Sequence, residues 1–283
     1  MTKPDEFRVA SSLDTAKRGE VVVHDRKGAV MSGGKYRAHV AVATAAGVGL
    51  SAGLGAIGWL LIAPPVGVVV GGAMAAYLVF ARKRGLTAER ALARREAGDL
   101  DGAQQEFEQL RATLSRADRW AIDFYIANIL WLKGESTAAL ELLVQAEPRA
   151  RGALRFSLLF QLAWVQAMEG KLDAARATLA ETDDAPESPV FSIHRAMAEL
   201  LIAFHADSVD GLADEDALHE VGTLVLRTNR YGSVLVLLAW ACDRRGDADL
   251  AEHWLGESES RMLHDLERCM PKLAAWRDAQ PQR

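Results

Sequence analysis

The sequence predicts an all-α protein: a helical solenoid of about five helix pairs over residues 84–262, preceded by a two-helix transmembrane hairpin over residues 38–82. Four observations carry this. Glycines stand at Gly98, Gly134, Gly170 and Gly246, at spacings of 36, 36 and 76 residues, the last close to two further periods. Each glycine has an alanine seven residues before it (Ala91, Ala127, Ala163, Ala239) and another five after it (Ala103, Ala139, Ala175, Ala251). A large apolar residue follows nine after the glycine (Phe107, Leu143, Leu179, Leu255). Finally, the 41 residues from Val40 to Phe80 include no Asp, Glu, Lys, Arg or His. A fixed period between ~20 and ~50 residues marks an array of one repeated supersecondary unit. The apolar run is twice the ~20 residues that cross a bilayer as a helix.

Taken in order, residues 1–37 form a polar tail with a β-like run from Glu20 to His24 and a break at Gly33 and Gly34. The tail is too short for a core of its own and reads as flexible, with room for a local hairpin. Pro64 and Pro65 then divide the apolar run into legs over residues 40–63 and 66–81. Arg26, Lys27, Lys35 and Arg37 precede the run and Arg82, Lys83 and Arg84 follow it. Lys and Arg near membrane ends stay cytoplasmic, so an even number of crossings and two cytoplasmic ends follow. The second leg is short, and a hairpin that re-enters one leaflet is the alternative. Gly49 with Gly53, and Gly67 with Gly71, place small residues four apart, which lets membrane helices approach closely. That packing serves either the two legs of one hairpin or self-association of several.

Each mark in the array has a physical reason. Glycine at the end of a helix enters the left-handed conformation without steric cost. The alanines let the paired helices approach, and the large residue fills the space between neighbouring pairs. One pair cannot bury its own apolar face, so neighbours must stack.

This frame resembles the tetratricopeptide repeat over residues 84–260, with units at 84–119, 120–155, 156–190 and 232–262. A fifth unit is expected at about 191–230, where Ala198 takes the first small position and His205 stands in the place of the glycine. About seven extra residues then precede a helix near Glu215–Arg227. Residues 263–283 are expected to form a solvated capping helix and tail.

The resemblance implies a groove lined by the first helix of each pair. Carried over residue by residue, it assigns Phe124, Asn128, Trp131, Phe160, Trp164, Arg195, Glu199 and Trp240 to that groove. A core position between helices is the alternative for each tryptophan. The carboxylate clamp of the chaperone-binding members is missing, since Ala88, Leu92, Tyr125, Ser157 and Gln161 occupy its positions. An apolar or amphipathic protein segment is the ligand that remains.

Charge narrows the partners further. Residues 1–37 hold 8 basic and 5 acidic residues, and the chain beyond residue 81 holds 25 basic and 33 acidic. An acidic array does not suit nucleic acid, which needs a basic stripe. Cys242 lies at an apolar helical position and reads as a buried free thiol. No HExxH, GxSxG or nucleotide-binding glycine loop is present, so no enzyme activity, cofactor or metal is expected. The sequence therefore predicts an adaptor in a membrane, such as a bacterial inner membrane, whose cytoplasmic repeats bind a protein or peptide. The alternative is a hairpin that oligomerises to remodel or permeabilise the bilayer, with the repeats as a docking module.

Overall fold

The computed structural model describes residues 22–24, 30–32, 84–228, 232–259 and 266–280. The hairpin legs, with Gly49, Gly53, Gly67 and Gly71, lie outside the described residues. Among the described residues no helix is long and apolar enough to cross a membrane. Two three-residue strands, β1 (Val22–His24) and β2 (Val30–Ser32), pair in one small sheet. Among the described residues everything else regular is helical, and the fold class is all-α.

The helices belong to two compact units, one holding residues 84–113 and the other Leu114 onward. In the first, helical residues 84–96 (α1) are followed by α2 (Leu100–Ala112). Asp99 caps α2 by accepting from the Gly102 amide at 2.9 Å. Arg94 holds Asp99 at 2.9 Å and Glu106 at 3.0 Å, tying the corner to the second helix.

The second unit is a run of helix pairs: α3 (Trp120–Leu132) with α4 (Ser136–Ala146), α5 (Ala153–Met168) with α6 (Leu172–Ala180), α7 (Pro189–Ala206) with α8 (Glu215–Thr228), and α9 (Gly232–Arg245) with α10 (Ala248–Glu259). Two short helices follow, α11 (Leu266–Cys269) and α12 (Pro271–Asp278). Within this unit each first helix packs on the next, α3 on α5, α5 on α7 and α7 on α9, which makes a continuous layer.

Every pair turns its corner through one motif. Gly98, Gly134, Gly170 and Gly246 all have positive φ, between 73° and 85°. At Gly134, for instance, the glycine amide bonds Trp131 O at 2.9 Å and the following amide bonds Leu130 O, also at 2.9 Å. This is the Schellman arrangement, which satisfies helix-end carbonyls that the helix itself cannot. The fourth corner has the same bonds without a glycine. Asp207 sits there at φ 51°, with its own amide on Phe204 O and the Ser208 amide on Ala203 O. The left-handed position is therefore Asp207, two residues beyond His205, which lies inside α7. Aspartate is one of the few side chains that tolerate this region, and Arg244 of α9 pairs with its carboxylate.

Candidate functional site

The first-helix layer is where the sequence places a groove. Within it, Trp131 of α3 meets Trp164 of α5 with ring centroids 6.2 Å apart. Phe160 of α5 lies 5.8 Å from Phe191 and 6.0 Å from His194, both on α7. Trp164 stands edge-on to His194 at 5.1 Å, and its Nε1 donates to the His194 carbonyl at 3.0 Å. The Trp131 indole Nε1 points at Met168 Sδ at 3.1 Å. Trp240 of α9 closes the row edge-on to Phe204 of α7 at 5.2 Å.

These aromatics form the seam between neighbouring first helices, and they do not face an open groove. Trp131 is 9% exposed, Phe160 0%, Trp164 5% and Trp240 1%. The four are core residues, so the groove assignment is corrected for them. The reason is angular. One residue turns a helix by about 100°, enough to move a side chain from the free face of the layer into the seam. Phe124 and Asn128 are half-buried on α3, with Phe124 edge-on to Tyr125 at 5.2 Å.

Arg195 and Glu199 come together, but in a different place. Both line a cleft of about 250 Å3 between α7 and α8, facing Ala217, Glu220 and Val221. Arg195 is held from one side: its Nη1 donates to Asp183 at 3.1 Å and its Nη2 to Thr182 O at 2.8 Å. Burial raises the Glu199 pKa above the usual carboxylate range; nearby Arg195 lowers it in part, and Asp183 raises it further.

Residues 266–280 bury far more than a solvated cap does. Leu266, Cys269, Met270, Leu273 and Ala274 are all buried, at the i, i+3, i+4, i+7, i+8 spacing of one helical face. That pattern was present in the sequence and is the signal that could have revealed this segment. It docks on the first-helix layer, α11 against α3 and α12 against α9. The Cys269 thiol donates to Leu132 O at 3.3 Å, across 137 residues of sequence. A Cβ built on Gly134 would come within 3.0 Å of Arg268 O, so glycine permits this approach as well as the positive φ. At the other end, His205 titrates below its usual range because it is buried and because Lys272 repels its charged form. The segment thus reaches α3 through α11 and α9 through α12.

A second cleft, of about 660 Å3, lies where α3 and α5 begin and is lined by Arg116, Trp120, Arg149 and Arg151 among others. Cys242 and Cys269 are buried and form no disulfide with each other, and burial pushes Cys242 up to about 11. Compared with known proteins, the chain matches no family model, no curated protein and no solved structure.

Proposed function

We propose that the chain is a membrane-tethered adaptor of the tetratricopeptide type, whose first-helix layer binds a short amphipathic helix. The observation that carries this reading is the chain's own C-terminal segment. Five apolar side chains of residues 266–274, carried by α11, Met270 and α12, lie buried in a segment that contacts α3 and α9. A surface that accepts this apolar helical segment suits others with the same spacing of apolar residues, as a helix laid in a groove does. The membrane half of the proposal rests on the 41 uncharged residues from Val40 to Phe80. A tether would raise the effective concentration of a partner near the bilayer, so a modest groove suffices.

The test uses the full chain in a neutral detergent and a fluorescent peptide of residues 266–280. The wild-type chain should bind the peptide poorly, because its own segment holds the surface. Met270→Asp with Leu273→Asp should release that segment and let the peptide bind, read as a rise in anisotropy. If the double variant keeps its helical circular dichroism yet binds no peptide, the surface is not a helix-binding groove. A chain ending at residue 259 serves should the double variant misfold. Carbonate extraction of membranes tests the tether: the chain should stay in the pellet, and release into the supernatant refutes it.

A further inference from the structure

The chain beyond residue 81 is acidic, with 33 acidic against 25 basic residues, yet one corner concentrates positive charge. The cleft where α3 and α5 begin is lined by Arg116, Ala117, Asp118, Trp120, Arg149 and Arg151. Three arginines and one carboxylate therefore line it, and the Asp118 carboxylate accepts from the Ser115 hydroxyl at 2.6 Å. Among the described residues, Arg116 and Arg149 make no ion pair. Arg151 is oriented by its own loop, with Nη1 donating to Ala150 O at 2.7 Å and Pro148 O at 3.2 Å. The rest of its N–H fork is left for a ligand.

Backbone charge adds to this. Trp120 is the first residue of α3, and Arg151 immediately precedes Gly152, the N-cap of α5. Neither helix start has a side-chain cap, and with Trp120 and Arg151 lining the cleft the positive ends of two helix dipoles lie beside it. Helix N-termini and planar guanidinium forks both favour tetrahedral oxyanions. The half-buried Trp120 indole supplies an apolar wall beside them.

We propose that this corner binds a phosphate group, carried either by a lipid headgroup or by a small soluble phosphate. The site lies at the starts of α3 and α5 and does not depend on the adaptor reading. Arg149 and Arg151 grip the phosphate oxygens, Arg116 closes the cleft, and Trp120 packs on the apolar part of the molecule. Indole beside arginine is the pairing that sits at headgroup level in bilayers, which makes the lipid the favoured source.

The experiment is hydrogen exchange of residues 114–120 and 147–152 in the full chain, in three conditions. These are neutral dodecyl maltoside micelles, which carry no phosphate, the same micelles with phosphatidylglycerol added, and the same micelles with inorganic phosphate. Exchange should slow by about tenfold, the equivalent of one charge-assisted hydrogen bond. Slowing with phosphatidylglycerol alone identifies the headgroup, and slowing with inorganic phosphate identifies a soluble ligand. Arg149→Gln with Arg151→Gln should erase the effect, whereas Arg149→Lys with Arg151→Lys should keep part of it. Arg116→Gln, at an exposed position, gives the same reading if the double variant does not fold. No slowing in either added condition, or slowing that survives loss of the arginines, overturns the proposal.

Discussion

The pairs α5–α6 and α7–α8 turn their corners with the same hydrogen bonds but continue differently. After Gly170 the chain re-enters a helix at once, at Leu172, and the Thr178 hydroxyl crosses to Gln166 Oε1 at 2.8 Å in a buried contact. After Asp207 seven residues intervene before Glu215. Arg244 and Arg245 of α9 hold that excursion, on the Asp207 carboxylate and on Ala213 O. The small and large positions also exchange. The fourth and eighth residues of α6 are Ala175 and Leu179; those of α8 are Leu218 and Gly222. Trp254 of α10 fills the space at Gly222. The regular pair closes tightly, whereas the irregular one leaves the cleft that holds Arg195 and Glu199. An insertion beyond an intact corner is thus enough to open a site without disturbing the stack.

The comparison can be broken at several points. The largest effect is expected at the closed pair. Phe160→Ala empties a fully buried site and should cost about 3–5 kcal/mol of stability in a denaturant titration. A loss below about 1 kcal/mol would return Phe160 to an open groove. At the irregular pair, Gly222→Ala sets a Cβ 2.3 Å from the Trp254 ring and should cost about 1–3 kcal/mol by overpacking. Gly256→Ala on α10 meets nothing within 4 Å and should instead gain about 0.5–1 kcal/mol, since glycine in a helix is entropically costly.

The corners give a finer contrast. Gly170→Ala has open space and should cost only the left-handed strain, about 1–2 kcal/mol. Gly134→Ala has similar strain plus the Arg268 backbone at 3.0 Å, so it should lose more and expose residues 266–274 to hydrogen exchange. Equal losses at the two glycines would mean that the C-terminal segment does not bear on that corner.

The smallest effect is electrostatic. Because burial raises the Glu199 pKa, the native state binds more protons than the unfolded chain as pH rises through this range. The group costs no stability below the ordinary carboxylate range, and its cost grows as pH climbs through the raised value. Glu199→Gln should therefore raise the melting temperature near neutrality and lose that advantage below about pH 4. An advantage that is the same at both pH values would show that the cleft does not desolvate this carboxylate.

Much of the helical framework was legible in the residues. A glycine seven residues after one alanine and five before another describes a corner between close-packed helices, because the left-handed turn admits few other side chains. Asp207 was not legible for the same reason turned around. Aspartate enters that region without being reserved for it, so nothing in its identity distinguished it from His205 two residues earlier. Arg195 and Glu199 stood out as charges on an apolar helix, and they do share a site. The cleft around Trp120 was missed because its arginines come from two loops more than thirty residues apart. The destination of residues 266–274 was hidden too, although their apolar spacing was visible.

By itself, the sequence determined four of the five helix corners, at Gly98, Gly134, Gly170 and Gly246, and that helices must pair to bury their faces. Those are local matters, decided by backbone conformation and by spacing along one helix. The tertiary structure alone decided that Trp131, Phe160, Trp164 and Trp240 seal a seam, that the C-terminal segment returns to Leu132, and that two clefts open. Those outcomes depend on rotation about helix axes and on side-chain volumes from distant parts of the chain, which no local pattern encodes.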